Sequence, residues 1–270
     1  MRPAVIALLC LAAADGCRRA PPAARPLILA TTTSTQDSSL LDALLPAFER
    51  AQGIQVKVVA VGTGEALAMG ARGDADVLLV HARAAEDDFM RRGLGARRLD
   101  VMHNDFVLVG PPQDPAAAKG TDAAQALRRI AAAGATFASR GDRSGTHVKE
   151  QELWRLAGVA AEGRPWHLST GQGMAETARL ASEKRAYALV DRATWLATRG
   201  TLDLGVVVAG DPRLFNPYGV IVVDPARFRR VNGPAAQAFA RFLVAPATQR
   251  LIADFGVARY GEPLFVPDAR

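Results

Sequence analysis

The chain has 270 residues, of which 49% are hydrophobic and 22% charged, a composition typical of a globular protein with one large domain or two lobes. The formal net charge of +6 favours anionic partners, but the basic residues are scattered and aromatic residues make up only 6%, which argues against nucleic acid. Both cysteines, Cys10 and Cys17, lie near the N-terminus, so the sequence from residue 18 onward excludes disulfides, thiolate metal sites and a cysteine nucleophile.

The N-terminus has the pattern of an export signal, which we place at residues 1–16. Arg2 precedes an apolar run that is too short to span a bilayer. Cys17 then begins a tether, residues 17–26, with the composition of a flexible linker. It resembles the lipid-attachment cysteine of bacterial lipoproteins, although Asp15 stands where that signal usually carries a small uncharged residue. Two outcomes stay open: a lipid anchor on Cys17, or cleavage and release into the periplasm.

In the first half of the chain, short apolar strands alternate with helices. We predict strands at residues 27–30, 54–61 and 75–80, a helix after the first strand, and another helix at residues 65–72. This tight alternation implies parallel strands joined by right-handed crossovers.

The first helix has recognisable start and break signals. Ser39 and Asp42 have the spacing of a capping box, and Leu44 and Phe48 lie on one apolar face. Pro46 falls inside this pattern and is expected to kink or shorten the helix.

A second set of alternating elements begins with a strand at residues 105–110. Its further elements are helices at residues 122–133, up to 157, at 174–184 and from 193, strands at 136–139, 186–190, 204–210 and 219–223, and a last helical stretch at 235–255 that Pro246 interrupts. Segments near residues 105–110 and 206–218 cross between the two sets. Two lobes joined in this way enclose a cleft, where small ligands usually bind.

Four polar loops stand where a strand runs into a helix. They read TTTST at residues 31–35, GTG at 62–64, SRGDRSGTH at 139–147 and STGQG at 169–173. In open parallel sheets such loops gather at the carboxyl ends of the strands, and each following helix offers unpaired N–H groups and the positive end of its dipole. Together they favour an anion, to which Arg140 adds a charge. The same serines and threonines can equally be plain N-caps.

Other chemistries fit these loops less well. SRGDRSGTH lacks the lysine that a P-loop places before its hydroxyl residue. Ser144 and His147 suggest a nucleophile and a base, but no G-x-S-x-G elbow is present, so a hydrolase is the less favoured alternative. The four histidines lack metal-ligand spacing, so we expect no metal-cation site. Asp191 is expected to be a helix cap rather than a ligand contact.

Several segments carry a family likeness, and they include ATTTSTQDSSLLDALLPAFE, NDFVLVGP, SRGDRSGTHVKEQELW and LFNPYGVI. They resemble the tungstate-binding, TupA-like, substrate-binding proteins of bacterial ABC importers, from about residue 27 to the final helix. The resemblance implies an α/β fold, the two-lobed periplasmic binding protein of type 2. Each lobe is then a mostly parallel sheet flanked by helices, and two crossover strands form the hinge. Lobe I would comprise residues 27–107 and 216–270, and lobe II residues 108–215.

The resemblance also implies which residues contact the ligand, with Arg140 as the charged contact and Thr63 as a weaker member. The implied ligand-binding residues are Thr31, Thr32, Thr33, Ser34, Thr63, Arg140, Ser144, Gly145 and Thr146, with Gly171, Gln172 and Gly173 as weaker candidates. One departure is His103, where relatives often have tyrosine, which leaves the wall of the hinge in doubt.

The family likeness implies a monomeric receptor without enzymatic activity or cofactor. It would capture tungstate, with molybdate as the alternative oxyanion, and deliver it to an ABC transporter permease, with a lipid anchor as its only link to the membrane. Both anions are fully deprotonated at neutral pH and suit a site made only of donors, whereas phosphate retains a proton and needs an acceptor. A phosphate or sulfate receptor of the same fold is the alternative, and phosphate would be favoured if Asp105 or Asp142 faced the ligand.

Overall fold

The computed structural model describes residues 25–269. The predicted export signal, Cys17 and most of the tether lie outside the described residues. Within residues 25–269, no helix has the length and apolar character needed to cross a bilayer.

The described part of the chain folds into ten strands and eleven α-helices. The strands are β1 (Leu27–Thr32), β2 (Val56–Val61), β3 (Val77–Val80), β4 (Gly95–Gly110), β5 (Phe137–Ser139), β6 (His167–Ser169), β7 (Tyr187–Asp191), β8 (Gly205–Val208), β9 (Phe215–Val223) and β10 (Val266–Pro267). The helices are α1 (Thr33–Asp37), α2 (Leu40–Gln52), α3 (Thr63–Arg72), α4 (Arg83–Arg91), α5 (Ala123–Ala132), α6 (Gly145–Leu156), α7 (Met174–Lys184), α8 (Arg192–Thr198), α9 (Gly233–Val244), α10 (Pro246–Asp254) and α11 (Val257–Tyr260).

The strands are hydrogen-bonded in the order β2-β1-β3-β9-β4-β7-β5-β6, and β8 and β10 also pair with β4. In each half of this order the outer strands are parallel: β1 runs parallel to β2 and β3, and β5 to β6 and β7. The antiparallel pairs are those made by β4 and β9. The fold is therefore α/β, with a sheet flanked by helices, as the alternating pattern predicts.

Strand β4 belongs to both halves of the sheet. It pairs with β9 as far as Asp105 and then with β7 from Phe106. It is also much longer than the strand predicted at residues 105–110, because its first part carries the charged residues Arg98 and Asp100, which hide the strand pattern. The Arg98 side chain is nevertheless only 9% exposed, and its guanidinium pairs with Glu86 at 2.7 Å. The division into lobes at residues 107 and 216 stays a prediction.

Three clusters of buried apolar side chains support the sheet. In one of them Phe48 of α2 packs edge-on against Phe239 of α9, with ring centroids 5.0 Å apart. In another, Phe137 of β5 packs against Trp154 of α6 at 5.1 Å. The second contact fixes α6, the helix that follows the SRGDRSGTH loop, so this loop is held on a rigid element.

The start of α2 differs from the prediction. Ser39 precedes the helix with a left-handed φ of 60° and makes no capping hydrogen bond with its side chain, so the predicted capping box with Asp42 is wrong. The reason is that residues 33–37 already form the short helix α1. Ser39 lies in the turn between α1 and α2, and its left-handed backbone does not allow the capping geometry. Ser38 Oγ accepts from the amide of Leu40 instead, at 3.3 Å.

Three other helix signals have clear outcomes. Pro46 does not shorten α2, which continues to Gln52 because its apolar face is anchored by buried side chains on both sides of the proline. Pro246 does interrupt the last helical stretch, since it begins α10 directly after Ala245. Asp191 caps α8 by accepting from the amide of Thr194 at 2.9 Å, as predicted.

We predict that Ser39→Gly raises the free energy of unfolding by about 0.5–1 kcal/mol, because a left-handed residue with a Cβ costs about 1–2 kcal/mol and glycine returns part of this as unfolded-state entropy. Urea denaturation followed by circular dichroism measures the change. Ser38→Ala is the matched control and should lower stability, because it removes the hydroxyl that bonds Leu40. A loss of stability in Ser39→Gly would indicate instead that the Ser39 side chain does cap α2.

Candidate functional site

The first polar loop is a network of hydroxyl groups at the end of β1. Thr32 caps α1: its Oγ1 accepts from the amide of Thr35 and lies 3.2 Å from Ser34 Oγ. Thr31 Oγ1 donates to the carbonyl of Leu79 at 2.8 Å. The hydroxyl proton of Thr31 is therefore used within the protein, so the hydroxyls of this loop that remain for a ligand come from the residues after it.

Arg140 joins this loop to the loop after β5. Its side chain is only 3% exposed, and its Nη2 lies 3.4 Å from Thr33 Oγ1. Its Nε and Nη2 both donate to Asp142 Oδ2, at 3.1 and 2.5 Å. Two predicted site residues that are 107 positions apart in the sequence thus meet across the two halves of the sheet.

The two aspartates whose orientation bears on the ligand lie in different places. Asp142 lies at the site, where its Oδ1 accepts from the amide of Ser144 at 3.0 Å. Burial acts to raise the pKa of Asp142, but the hydrogen bonds from Ser144 and the charge of Arg140 outweigh it, so the pKa is lowered and the group is a carboxylate. Asp105 pairs instead with Arg192, at 2.5 and 2.6 Å.

The N-termini of α3 and α6 face each other at the same place. Thr63 begins α3 and Gly145 begins α6; a Cβ placed on Gly145 would lie 3.2 Å from Thr63 Oγ1. Two hydroxyls at these helix starts, Thr63 Oγ1 and Thr146 Oγ1, are buried without a hydrogen-bond partner among the described residues, and so is Ser139 Oγ at the end of β5. Buried polar atoms are normally paired, so unpaired donors beside two helix N-termini point to a ligand.

His81 is the residue that the sequence reasoning missed. It follows β3, with Nε2 3.3 Å from Ser34 Oγ and Nδ1 2.9 Å from Asn216 Oδ1, and its ring stacks on Tyr218 at 4.6 Å. Burial lowers the pKa of His81 to about 4; Asn216 opposes this shift and the charge of Arg140 adds to it. A search for metal-ligand spacing does not find this histidine. Its position directly after the buried strand β3, where ligand-binding residues gather, could have identified it from the sequence.

The weaker candidates lie behind the Arg140 loop. The amide of Gly171 donates to the carbonyl of Arg140 at 2.8 Å, and the amide of Gln172 donates to Thr170 Oγ1. Gly171 and Gln172 are exposed, whereas Gly173 caps α7. This loop braces the backbone of Arg140, and direct ligand contact by residues 171–173 stays a prediction.

Ser144 and His147 are arranged as a helix cap. Ser144 Oγ accepts from the backbone amide of His147 at 3.3 Å, and the His147 ring accepts from the amide of Arg143 through Nδ1 at 2.9 Å. The histidine ring is therefore engaged elsewhere and does not form the hydrogen bond that a nucleophile needs from its base.

Two cavities adjoin these residues. A groove of about 370 Å³ is lined by His81, Gly145 and Asn216 and leads to the surface past Lys149. A larger cavity, about 650 Å³, lies against Ser139 and Trp154, and none of the predicted ligand-binding residues lines it. Cavity size alone thus does not locate the predicted site. In residues 25–269 no group of three or more histidine, cysteine or acidic residues could hold a metal ion.

Comparison with known proteins gives consistent matches. Residues 18–247 match a PBP superfamily domain. The tungstate-binding protein TupA of Peptoclostridium acidaminophilum is 48% identical over 246 residues, covering 90% of this chain and 86% of that protein. Among solved structures, the tungstate binding protein TupA from Desulfovibrio alaskensis G20 is 45% identical with a TM-score of 0.79, covering 91% of this chain and all of that one. The tungstate ABC transporter structure from Geobacter sulfurreducens is 48% identical with a TM-score of 0.78, covering 86% and 100%.

The buried, neutral His81 makes stability depend on pH. In the unfolded chain the histidine pKa is 6.5, and in the fold it is about 4. Between these values the unfolded state binds a proton that the fold does not. The free energy of unfolding should therefore fall by up to about 3 kcal/mol as pH drops from 6.5 to 4.

Urea denaturation at several pH values tests this prediction. His81→Gln should lose that part of the pH dependence, while His103→Gln should keep it because His81 is still present. An unchanged slope in His81→Gln would contradict the assignment of a neutral, buried imidazole.

Proposed function

Because this chain belongs to the TupA family of tungstate-binding proteins within the PBP superfamily, we propose that it is a receptor that binds tungstate between its two halves and delivers it to an ABC permease. One observation carries the proposal: Thr63, Arg140 and Thr146, drawn from both halves of the chain, are all buried, and the two threonine hydroxyls have no hydrogen-bond partner within residues 25–269. The conclusion is a binding protein and not an enzyme.

The chemistry of this arrangement suits a small dianion. The helix N-termini of α3 and α6 present backbone N–H groups and the positive ends of their dipoles, and hydroxyls add donors without charge. Arg140 supplies the single full positive charge; its Nη1 makes no hydrogen bond within residues 25–269. Tungstate offers only acceptors, so each of these donors finds an acceptor when the anion replaces its water shell. Molybdate has the same charge and protonation, and it is the alternative ligand.

We propose that closure of the two lobes assembles the site. The lobes would be residues 27–107 with 216–270, and residues 108–215, joined by β4 and by the segment between β8 and β9. Arg140 and Gly145 lie on one side, while Thr33, Thr63 and His81 lie on the other. Since these groups touch only when the halves are together, a bound anion that contacts both sides stabilises the closed state.

Export and anchoring complete the proposal. The receptor works outside the cytoplasmic membrane as a monomer, exported by residues 1–16. Cys17 then either carries a lipid that holds the protein at the membrane or is left on a protein released into the periplasm. In both cases the chain has no cysteine after residue 17, so its fold does not depend on disulfides.

Phosphate is the second candidate ligand, because the Asp142 carboxylate lies at the site. A protonated oxyanion could donate to that carboxylate, whereas tungstate could not. Two facts favour tungstate: Asp142 Oδ2 already accepts from Arg140, and Asp142 Oδ1 already accepts from Ser144. Asp142 thus holds the guanidinium in place: its Oδ2 is filled by two donors of Arg140, and only the second lone pair of Oδ1 remains for a protonated ligand.

An oxyanion series distinguishes these ligands. We expect tungstate and molybdate to raise the melting temperature of the purified protein, and sulfate and phosphate at equal concentration to leave it unchanged, because only a bound ligand stabilises the fold. Differential scanning fluorimetry measures this. If phosphate raises the melting temperature and this rise disappears in Asp142→Asn, the ligand is phosphate and the proposal of tungstate is wrong.

Arg140→Gln should weaken tungstate binding by about 2–5 kcal/mol, because it removes a buried charge partner of the anion. Isothermal titration calorimetry measures the change. Arg143→Gln is the matched control: it removes an exposed arginine from the same loop and should bind within a factor of about two of the unmodified protein. Equal affinity in the Arg140 and Arg143 variants would refute the role of Arg140.

Gly145→Ala should reduce tungstate affinity by about tenfold or more, because overpacking a tight contact costs about 1–3 kcal/mol. The new Cβ would lie 2.9 Å from His81 Cε1 and 3.2 Å from Thr63 Oγ1. Gly64→Ala in α3 is the control, since its Cβ would meet nothing within 4 Å. Unchanged affinity in Gly145→Ala would show that the two helix N-termini do not close on the ligand in this way.

A further inference from the structure

We propose that His81 is a positioning residue that controls whether the Ser34 hydroxyl donates to the bound anion, and that His81 takes up a proton when the anion binds. This inference rests on the proposed function and deepens it. It assigns a proton, besides the oxyanion, to the complex.

A chain of hydrogen bonds sets the tautomer of the imidazole. Asn216 Nδ2 donates to Asn104 Oδ1 at 2.7 Å, across the paired strands β9 and β4. The other end of the same amide, Asn216 Oδ1, therefore faces His81 Nδ1 at 2.9 Å and can only accept. A neutral His81 thus carries its hydrogen on Nδ1, and its Nε2 is an acceptor.

The direction of the next hydrogen bond follows from this tautomer. Ser34 Oγ lies 3.3 Å from the bare His81 Nε2, so this hydrogen bond forms only when the serine donates its hydroxyl proton to the ring, with Thr32 Oγ1, 3.2 Å away, as the donor to Ser34 Oγ. Ser34 then presents lone pairs towards the loop that is proposed to bind a dianion. If Nε2 gains a proton, it becomes the donor, and the hydroxyl proton of Ser34 is free to point at the anion.

The electrostatic surroundings explain why the empty site and the loaded site differ. Burial and the positive charge of Arg140 keep the pKa of His81 at about 4, so the ring is neutral without a ligand. A dianion between Arg140 and Ser34 offsets the charge of Arg140 and favours the imidazolium. Proton uptake and anion binding should therefore support each other.

The groups around the ring are compatible with one added positive charge. Tyr218, stacked on the ring, has a pKa raised well above 10 by burial and stays neutral. Charged groups lie on several elements around His81. On the second half of the sheet they are Arg140 and Asp142 before α6, Lys149 and Glu152 on α6, and Asp191 at the end of β7. On the first half they are Arg83, Glu86 and Asp87 on α4, and Arg98 on β4. The carboxylates at 86 and 142 are already paired with arginines, and buried Asp191 accepts two hydrogen bonds from Thr194, so the bound anion is the main new electrostatic partner of the imidazolium.

Calorimetric titration with sodium tungstate at pH 6.0 and 8.0 tests the proposal. At each pH the binding enthalpy is measured in several buffers of different ionisation enthalpy, and its slope gives the protons taken up. We expect uptake of a substantial fraction of one proton at pH 6.0 and less at pH 8.0. His81→Gln should bind tungstate with no uptake, and His103→Gln should retain the uptake.

Nitrogen-15 NMR of the imidazole provides a readout that needs no variant. The unliganded protein at pH 6.0 should show His81 as the neutral ring protonated on Nδ1, and tungstate should convert it to the imidazolium. Binding of tungstate with a zero slope and an unchanged neutral ring would overturn the role of His81 and leave the proposed function intact. Failure of the unmodified protein to bind tungstate at all would instead overturn the proposed function.

Discussion

The site depends on one buried cation and the carboxylate that lies against it. Arg140 is almost completely removed from solvent, and burying a guanidinium is unfavourable unless an anion accompanies it. Asp142 supplies that anion from the same loop, and the amide of Ser144 holds Asp142 in turn. The pairing with Asp142 orients the guanidinium towards Thr33. The hydrogen bond from the Ser144 amide to Asp142 also fixes the start of α6. The remaining donors are arranged around that charge.

The topology of the sheet explains why distant segments meet there. Thr32 ends β1, His81 follows β3 and Ser139 ends β5, so three carboxyl ends of strands face one region. The antiparallel strands β4 and β9 place Asn104 opposite Asn216 beside His81. A fold with parallel outer strands and two shared inner strands therefore collects hydroxyls, amides and an imidazole without any sequence proximity between them.

Local signals predicted most of the fold, and contacts between distant elements decided the rest. The α7 and α5 helices and the caps at Asp191 and Ser144 follow from short patterns that act within a few residues. The length of β4 could not be predicted in this way, because Arg98 and Asp100 are typical of loops. Only the fold shows that Glu86 of helix α4 pairs with Arg98. His81 was missed for the same reason: its partners, Ser34 and Asn216, lie 47 and 135 positions away. The predicted donors were recognisable from residue type, but which of them keep a free proton depends on partners such as Leu79.

The continuous strand β4 limits how the protein can open. Its backbone is bonded to β9 on one side of Asp105 and to β7 and β8 on the other, so neither half can slide along it without breaking a ladder. In the lobe closure that we propose, opening would come from bending or twisting about this strand, which leaves few degrees of freedom. Such a closure would bring the same donor atoms together each time, so the two faces of the site would meet the anion already aligned.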